Sequence, residues 1–587
     1  MSDFIFSIKN IEQNKITTAI QSIYKQAFSS VSVTEFHGEW GSLGVSKNLY
    51  NGFEPYENEQ FIVVVVGGPI LMFRDNRFIN NKNNNEGTKA IFERWISGKM
   101  RWDNDLSGPF VVLIVDKQHR KAICVTDLMS FIPVYSYANK ENIVISTHVD
   151  TLASTTQQTS NVDKVSVVDF VLHGFVTYPY TIYENLFQIP PASEHTIVKE
   201  TTNLKSVYYW LPKELNKYNS IKHAAVDLRN SLHNYIDKIT TETSNIAQFV
   251  SGGEDSRTLS GLLKDFPRDA YIFLDHMNRE GKIAKEVADR YGATFKLATR
   301  NKLHYLNILP SCSDLVGSGS QYHHAHTYGF HNTCQLNSYV AVFGGLLADA
   351  LLKGSHIKKV SGYGRFRFLP DVKNFSYSAG SQLKSSLFSS DVLLKLTKRR
   401  QNHLQYVKSF RNESAEEWFE LWPSSMNRNI PNIHANRRLF RSYEPFTSKD
   451  IVKLSATVPQ KWKLNRRLFH RAAKPFLKSS KWLLHGDGWL PYFPWYMNTF
   501  VHFTTWFYRS ASKRLGLNKG HHGPWGEWDV VVNSAEWKKT FNNYYERIDQ
   551  ISDIFQKKPH EKLLRSSLSR DQFVNLTQVL YQIKDKK

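Results

Sequence analysis

The sequence of 587 residues predicts an α+β sandwich region followed by an α/β region, because its hydrophobic pattern changes once along the chain. From residue 60 to 200, short β-like runs are separated by polar or turn residues at roughly 10-residue spacing, which is typical of stacked antiparallel sheets. After Trp210 the pattern becomes helix, strand, helix, which indicates a parallel sheet. From about residue 380 the chain is rich in helical patterns and aromatic residues and has no strand pattern.

The individual elements can be predicted in chain order from these patterns. In the first region the strand-like runs are FIVVVVGG, PFVVLIVD, KAICVTD, PVYSYA and NIVIST, with one helical stretch near Glu86 to Ser97. In the second region KHAAVDLRNSLHNYIDKI has apolar residues at helical spacing, NIAQFVSGG is a buried strand that enters a glycine turn, and GKIAKEVADRYG is an amphipathic helix. The apolar run from Tyr339 to Phe343 predicts a further strand.

The composition is that of an ordinary globular protein, with 41% hydrophobic and 22% charged residues, 20 prolines and 30 glycines. These values exclude collagen, low-complexity disorder and a disulfide scaffold as a description of the whole chain. The cysteines Cys124, Cys312 and Cys334 lie far apart in the sequence, which fits a reducing compartment. The first residues lack the pattern of a secretory signal, and no apolar run reaches the roughly 20 residues that span a bilayer. We therefore expect a soluble, cytoplasmic protein without a membrane span.

The net charge of +22 is concentrated in the C-terminal part of the chain. Residues 351–587 carry 42 Lys and Arg against 18 Asp and Glu, whereas residues 1–200 carry 17 against 21. A one-sided basic surface attracts anions such as nucleic acid, acidic glycan or anionic lipid, and a solvated basic face on a soluble enzyme is an equal alternative. We expect solvated helix faces, with capture of an acidic substrate as the second interpretation, at the clusters Lys398-Arg399-Arg400, Arg437-Arg438 and Arg466-Arg467.

The most specific motif is a glycine-rich turn between a strand and a helix, Val250-Ser251-Gly252-Gly253-Glu254-Asp255-Ser256. Its two glycines let the backbone approach an anion, successive N–H groups form a nest, and the helix N-terminus adds a favourable dipole. The hydroxyls of Ser251 and Ser256 can donate to phosphate oxygens, and Asp255 can hold Mg²⁺ beside them. The motif therefore predicts a phosphate-binding loop, which is not a Walker A loop because the GK[ST] ending is absent.

A second candidate site follows the strand that ends at Phe343 and contains Gly344, Gly345 and Asp349. The carboxyl ends of neighbouring strands in a parallel sheet meet at one crevice, so we expect Asp349 to lie near Asp255. Two carboxylates from two strand ends suit a Mg²⁺ ion that also binds triphosphate oxygens. The alternative is that Asp349 only caps the following helix.

The hexapeptide SGGEDS matches the pyrophosphate loop of the PP-loop ATP pyrophosphatases, and the chain from about residue 60 to about 500 resembles the asparagine synthetase family. The order and spacing of further segments carry this resemblance: Asp105 to Phe110 with Asp116, Asp127 to Tyr135, Ile145-Ser146 with Leu152, Gly174 to Thr181, Ile189 to Pro191, Tyr209-Trp210, and Tyr443 to Thr447 with Val458-Pro459.

The resemblance implies a fold, cofactors and ligands. It implies a glutaminase-like, Ntn-hydrolase-like sandwich at residues 1–205, an α/β PP-loop domain of the adenine nucleotide α-hydrolase-like type at 206–510, and a basic helical C-terminal extension at 511–587. The implied cofactors are ATP and Mg²⁺, with Asp255 and Asp349 as metal ligands. The strand containing Phe273 would flank adenine, with Val250 and the Gly344-Gly345 turn opposite.

Departures from the family pattern bear on the reaction. Glutamine hydrolysis in the family needs a cysteine directly after the initiator methionine, and Ser2 stands there. The glutamine-holding NGE stretch is also absent where Val66-Gly67-Gly68-Pro69 stands. We therefore expect an N-terminal domain without glutaminase activity, as in the β-lactam synthetase branch. The family's GEGADE becomes GLLADA at residues 345–350, which keeps Asp349 but replaces both glutamates, so free aspartate is not the expected substrate.

Other candidate residues have open alternatives. Glu280 has a phosphate-side or Mg²⁺-shell role, or is an ordinary acidic residue at a helix N-terminus. The family's late lysine has Lys474 as a candidate, beside Lys478, Lys481 and His485. The His323-His324-Ala325-His326 run contacts substrate, binds a metal or is structural, and Trp525 to Trp528, with His521 and His522 nearby, forms a substrate platform or packs on the body.

Three functions remain open from the sequence. The first is a ligase that adenylates a carboxylate with ATP and transfers it to ammonia or an amine without glutamine hydrolysis, acting on an acidic metabolite, peptide or glycan. The second is a glutamine-dependent asparagine synthetase or other amidotransferase. The third is a non-catalytic nucleotide-binding or anion-binding protein. We favour the first, with nucleic acid not expected as a partner and the oligomeric state left open.

Overall fold

The computed structural model describes residues 3–81, 84–200, 202–240, 245–358, 383, 385–514 and 523–583. The strands of the N-terminal region are β1 (Phe4–Ser7), β2 (Val33–Gly38), β3 (Gly41–Ser46), β4 (Tyr56–Glu57), β5 (Phe61–Gly67), β6 (Ile70–Leu71), β7 (Leu106–Ser107), β8 (Phe110–Asp116), β9 (Lys121–Thr126), β10 (Tyr135–Ala138), β11 (Ile143–Ser146), β12 (Leu186–Gln188), β13 (Ser193–Val198) and β14 (Asn203–Tyr208). These strands form two six-stranded sheets, in the orders β12-β10-β11-β1-β3-β2 and β14-β13-β9-β8-β5-β4, and β6 pairs with β7.

The two six-stranded sheets are antiparallel and pack face to face. Phe4 and Phe6 of β1 lie in one buried cluster with Leu113 of β8. Ile5 points to the other side, toward helix α1 (Lys15–Tyr24), because side chains alternate along a strand. The predicted stacked antiparallel sheets are therefore confirmed. Strands β1 to β4 lie before residue 60, where the predicted strand region begins. The sequence did not indicate β3, for example, because GSLGVS has no regular apolar alternation.

A parallel five-stranded sheet forms the second region, in the order β17-β16-β15-β18-β19. Its strands are β15 (Ile246–Phe249), β16 (Arg268–Leu274), β17 (Thr294–Thr299), β18 (Ala341–Phe343) and β19 (Ser442–Tyr443). The sequence predicted no strand after residue 380, and β19 shows that this prediction is wrong. A two-residue strand is too short to produce a periodic signal.

Helices connect many of the strands and form most of the C-terminal part. They are α2 (Glu86–Ile96), α3 (Trp102–Asp105), α4 (Val149–Thr155), α5 (Lys164–His173), α6 (Ile221–Thr240), α7 (Glu254–Leu262), α8 (Arg279–Arg290), α9 (His304–Asn307), α10 (Leu309–Val316), α11 (Phe330–Thr333), α12 (Ala348–Leu352), α13 (Ser390–Lys408), α14 (Ala415–Phe419), α15 (Pro431–Leu439), α16 (Lys449–Thr457), α17 (Gln460–Lys463), α18 (Arg467–Ala473), α19 (Trp495–Arg514), α20 (Trp528–Asn533), α21 (Ala535–Tyr545), α22 (Glu561–Ser567) and α23 (Arg570–Gln582). Among the residues that the structure describes, no helix combines the length and the hydrophobicity that crossing a membrane requires.

The basic clusters do not all lie on solvated faces as the sequence predicted. Arg437 and Arg438 of α15 are each only 2% exposed, and Arg400 of α13 is buried with its guanidinium 3.3 Å from Asp169 of α5. The expectation of solvated faces is wrong for these three arginines because carboxylates from the distant N-terminal region neutralise them. No pattern local to the arginines carries that information.

Candidate active site

The candidate site lies at the carboxyl ends of two neighbouring parallel strands, β15 and β18. The two strands pair directly, with Gln248 opposite Phe343. Residues 250–253 connect β15 to α7, and the glycine turn follows β18. A Cβ atom built on Gly345 would lie 3.2 Å from the Cβ atom of Asp255, so the two segments are in contact. Open α/β sheets bind their ligands at this edge.

Successive N–H groups of the loop donate to side-chain oxygens. The N–H of Gly252 donates to Glu280 Oε1 at 2.6 Å, and the N–H of Gly253 donates to Ser251 Oγ at 3.1 Å. The N–H of Ser251 donates to Ser256 Oγ at 2.8 Å. Within the described part of the chain, no side chain caps α7, which begins directly after Gly253. The loop is therefore shaped to hold an anionic oxygen, and the Glu280 carboxylate provides that oxygen in this structure.

A buried lysine joins the two predicted carboxylates. Lys353 Nζ forms an ion pair with Asp255 and lies 3.0 Å from Asp349 Oδ1. Lys353 follows Asp349 by four residues, which puts both side chains on the same side of the chain as it leaves α12. The structure thus brings Asp255 and Asp349 to one cation. Sequence reasoning missed Lys353, although its spacing from Asp349 was visible in ADALLK.

A second buried carboxylate lies behind the loop. Glu254 is 1% exposed, its Oε2 accepts from Arg466 Nη1 at 2.7 Å, and the same oxygen lies 3.9 Å from Lys353 Nζ. The guanidinium of Arg466 lies over Trp489, with 3.7 Å to the ring centroid. Arg466 and Asn465 have φ values of 59° and 52°, a left-handed conformation that is strained for arginine and tolerated better by asparagine. The strained turn directs Arg466 toward the site.

The charges of the site shift the pKa values of its ionisable groups. Burial raises the pKa of Asp255 to about 7, although Lys353 opposes that shift. Burial lowers the pKa of Lys353, but the charges of Asp255, Asp349 and Glu254 outweigh burial and raise it above its ordinary value. Burial also raises the pKa of Glu280, against the hydrogen bond from Gly252. Lys353 is therefore a permanent cation, and Asp255 titrates near neutral pH.

Glu444 is buried beside the turn that follows β18 and was also missed as a site residue. Its Oε2 accepts from the N–H of Leu346 at 2.9 Å, which fixes the turn after β18. A Cβ atom on Gly344 would lie 2.2 Å from Glu444 Oε1, so only glycine fits there. Burial raises the pKa of Glu444 to about 7. The turn at residues 344–347 therefore has one carboxylate beside it, that of Glu444, although its own sequence lacks the two glutamates of the family pattern.

Two predicted nucleotide-flanking residues are part of the apolar core. Val250 is 3% exposed, and Phe273 stacks on Phe330 with 4.4 Å between ring centroids. The predicted lysine Lys474 is exposed, and its Nζ lies 5.3 Å from the ring centroid of Tyr492. The adenine-flanking role of Phe273 and the catalytic role of Lys474 remain predictions.

The histidine run and the tryptophan segment lie together at another position. Trp525 contacts His326 with 5.1 Å between ring centroids, and Trp528 stacks on Tyr305 at 4.4 Å. The tryptophans thus pack on the body of the protein. Burial lowers the pKa of His323 to about 3, so its imidazole is neutral at physiological pH. His521 and His522 lie outside the described residues.

Asp3, directly before the first residue of β1, belongs to a buried ion-pair cluster. Asp3 accepts from Arg438 through both carboxylate oxygens, at 2.7 and 2.8 Å, and from Arg437 at 2.9 Å. Burial acts to raise the pKa of Asp3, but the two arginines outweigh it and hold that pKa well below its usual range. Ser2, which stands where the glutaminase nucleophile is expected, lies outside the described residues.

The oxygen ligands at the loop fit a divalent cation in their chemistry. Glu254 Oε1 is buried and has no hydrogen-bond partner among the described residues, whereas Asp255 Oδ1 and Asp349 Oδ1 both face the ammonium of Lys353. Mg²⁺ in nucleotide-binding enzymes uses one or two carboxylates and completes its shell with phosphate oxygens and water. No group of three or more His, Cys, Asp or Glu residues suited to a metal ion occurs in the described part of the chain. A site shared with a nucleotide fits these observations, and a closed all-protein metal site does not.

Comparisons with known proteins place this geometry in context. Residues 75–210 match the family of glutamine amidotransferase domains. The chain is 22% identical to putative asparagine synthetase [glutamine-hydrolyzing] 2 from Methanocaldococcus jannaschii, over 38% of this chain and 44% of the relative. It is 20% identical to asparagine synthetase [glutamine-hydrolyzing] 1 from Bacillus subtilis, over 47% of this chain and 45% of the relative.

Among solved structures, the glutamine phosphoribosylpyrophosphate amidotransferase from B. subtilis is similar, with 8% identity and a TM-score of 0.24 over 51% of this chain and 65% of that chain. The matches thus cover less than half the length of the two asparagine synthetases. The resemblance to asparagine synthetases is confirmed by these relatives and by the amidotransferase domain match. The N-terminal sandwich fits the predicted Ntn-like fold.

Proposed function

We propose that this chain, a relative of asparagine synthetases, is an ATP-dependent, AMP-forming ligase that joins a substrate carboxylate to ammonia or an amine without hydrolysing glutamine. The parallel-sheet region would be the PP-loop domain, with ATP and Mg²⁺ as cofactors and an acidic glycan or peptide as the class of substrate. We also propose that the reaction takes place in the cytoplasm, which agrees with three cysteines that form no disulfide.

The observation that carries the proposal is the cluster of Asp255, Lys353 and Asp349 beside an anion-shaped loop. Each part alone is common in proteins. Together, a glycine loop whose Gly252 N–H donates to a carboxylate oxygen, a buried ammonium and two carboxylates after adjacent strands suit a triphosphate and its counter-cation. A non-catalytic anion-binding protein would not require the two carboxylates at this position.

The proposed reaction has two steps. A carboxylate oxygen of the substrate forms a bond to the α-phosphorus of ATP while the bond to the pyrophosphate oxygen breaks. The nitrogen of ammonia or an amine then forms a bond to the acyl carbon, the bond from that carbon to AMP breaks, and the nitrogen loses a proton. Both steps build negative charge on phosphate or acyl oxygens, so preorganised positive charge accelerates them.

The residues of the site have separate tasks in this reaction. Ser251, Gly252, Gly253 and Ser256 would bind the pyrophosphate part through N–H and hydroxyl groups, where the Glu280 oxygen lies now. Lys353 would stabilise the charge that develops on the leaving pyrophosphate. Asp255 and Asp349 would hold Mg²⁺, which supplies charge neutralisation on the phosphates when it is bound. Glu280 would have to release the N–H of Gly252, and its raised pKa favours that release because the protonated acid is a weaker acceptor.

Independence from glutamine is supported at the N-terminal strand. Ser2 replaces the nucleophilic cysteine, and Asp3 is engaged by two buried arginines of the other region. These ion pairs join the start of β1 to helix α15, which is a structural role and not a catalytic one. A glutamine-dependent amidotransferase is the second candidate function, because residues 75–210 match a glutamine amidotransferase domain.

The test is ATP–pyrophosphate exchange and AMP release with a panel of uronic acids and acidic peptides. We expect Asp255→Asn and Asp349→Asn each to abolish AMP formation and to leave the protein folded, with a cooperative thermal melt above the assay temperature. Asp391→Asn is the matched control, since Asp391 lies on a solvent-exposed helix start and pairs only with Lys395 of its own helix among the described contacts. Normal turnover in either site variant would refute the shared crevice.

A further inference from the structure

One face of α19 exposes a row of large apolar side chains to solvent. Tyr496, Phe500, Phe503 and Phe507 follow at intervals of four, three and four residues, which aligns them on one side of a helix. Their exposed fractions are 62%, 73%, 61% and 63%. We call this face the aromatic ridge, which also includes Met497, Trp506 and Tyr508.

The opposite face of α19 is fixed to the body of the protein by polar contacts. Asn498 donates to the carbonyl oxygens of Leu490 and Phe493, each at 2.9 Å, and Thr505 Oγ1 donates to the carbonyl oxygen of Gly488 at 2.7 Å. A rotation that buried the ridge would break these bonds and expose Asn498, which is 6% exposed. The ridge therefore faces outward as a built feature of the fold.

The segment of the chain that contains the ridge is rich in basic residues. Residues 467–514 contain one acidic residue, Asp487, and eight basic residues: Arg467, Arg471, Lys474, Lys478, Lys481, Arg509, Lys513 and Arg514. The Nζ of Lys481 lies within 4.9 to 5.7 Å of the ring centroids of Trp482, Tyr492 and Phe493. Trp482 is itself 68% exposed. Positive charge and aromatic surface thus occur in the same segment.

We propose that the aromatic ridge docks this protein on the surface of an anionic lipid bilayer. Phenylalanine side chains enter the boundary between headgroups and acyl chains, tryptophan and tyrosine are favoured at the level of the headgroups, and lysine and arginine bind lipid phosphates. A convex helix with seven large exposed side chains suits a soft, planar partner, whereas a protein partner would have to supply a matching groove. The bilayer is bound from one side, since α19 lies along the protein surface.

The docking helix α19 is connected to the candidate site, and what this implies about the substrate rests on the proposed function. The segment 485–488 contacts both places: a Cβ atom on Gly486 would lie 2.3 Å from Glu280 Oε2, and Gly488 accepts from Thr505 of α19. The loop crevice and the docking helix are therefore linked through four residues. A carboxylate carried by a membrane-anchored molecule is the substrate class that this arrangement serves.

The experiment measures cosedimentation of the full-length protein with vesicles of phosphatidylcholine, with and without phosphatidylglycerol. The test variant is the triple change Phe500→Ser, Phe503→Ser and Phe507→Ser. The matched control changes three exposed apolar residues elsewhere, Ile96→Ser, Val207→Ser and Leu394→Ser. We expect the wild type and the control to bind anionic vesicles, and the test variant to bind at least about tenfold more weakly with an unchanged thermal melt.

Several outcomes would overturn the proposal. It is wrong if the wild type does not sediment with anionic vesicles, or if the test variant sediments like the wild type. It is also wrong if light scattering finds that the ridge holds two copies together and that vesicles do not compete with this dimer. Vesicle binding requires no ATP, so a ligase assay without activity would refute the proposed function and leave the docking result unaffected.

Discussion

Lys353 carries the charge balance of the candidate site. A buried ammonium is costly unless carboxylates neutralise it, and here Asp255, Asp349 and Glu254 all lie within 4 Å. The same ammonium lies 4.7 Å from the ring centroid of Phe469, which limits access of water. The charge and position of such a buried ammonium change little during a reaction. A positive charge that is already in place stabilises an anion as it develops, because no reorganisation is needed.

We predict that Lys353→Gln destabilises the protein by about 3–5 kcal/mol at pH 8, because it leaves buried carboxylates without their cation. The native pKa of Asp255, about 7, lies above its ordinary value of 3.8, so the native state takes up a proton as the pH falls through that range. Protonated Asp255 needs no cation. The destabilisation should therefore be smaller at pH 5.5 than at pH 8, as measured by chemical denaturation at both values.

Lys353→Arg is the control for this prediction, since it keeps the charge. ATP–pyrophosphate exchange should fall about 100-fold in Lys353→Gln and less in Lys353→Arg. Equal stability of Lys353→Gln and the wild type at pH 8 would contradict the assigned charge balance.

At the scale of elements, strand β1 is tied to helix α15 by Asp3 and its two arginines. These groups are almost fully buried, and Tyr24 and Thr147 also donate to the Asp3 carboxylate. Removal of one partner from such a cluster leaves unpaired charge inside the protein, which costs more than the intact cluster contributes.

We predict that Asp3→Asn destabilises the protein by about 3–5 kcal/mol between pH 6 and 8, with a lower melting temperature. The native pKa of Asp3 lies below its ordinary value of 3.8, so its contribution is present above that value and is lost as the pH falls through the native pKa. The difference between the two proteins should accordingly shrink under acidic conditions. An Asp3→Asn protein that melts like the wild type at pH 7 would show that the ion pairs contribute nothing.

The sequence predicted those parts of the fold and the site whose signal is local. The loop from Ser251 to Ser256 is a strand, a turn and a helix start within a few residues, so its type could be inferred directly. Asp349 was inferred from strand-end geometry. Glu444 and the buried Arg438 gave no such signal, because each acts through a partner about 100 or more residues away. Lys353 is intermediate, since its spacing from Asp349 was visible and its contact with Asp255 was not.

On the scale of the whole molecule, one buried apolar cluster contains side chains of both the N-terminal sandwich and the parallel-sheet region. Trp422 donates through Nε1 to the carbonyl oxygen of Leu128 at 2.9 Å, and Tyr50 donates to the carbonyl oxygen of Ser442 at 2.8 Å. The N-terminal region therefore stabilises the parallel-sheet region by burying its apolar surface. This structural role does not depend on a glutaminase reaction.

The nitrogen source distinguishes a structural from a catalytic N-terminal region. Glutamine should not support amide formation, whereas ammonium or an amine on the substrate should, because Ser2 replaces the cysteine nucleophile. With ammonium, the rate should rise with pH as the fraction of free NH₃ increases. Ser2→Ala should leave AMP release unchanged with every nitrogen source, since no acyl-enzyme forms at that residue. The measurements are amide yield with each donor and glutamate release from glutamine. Stoichiometric glutamate release that disappears in Ser2→Ala would instead establish a serine-dependent glutaminase, and the second candidate function would replace the first.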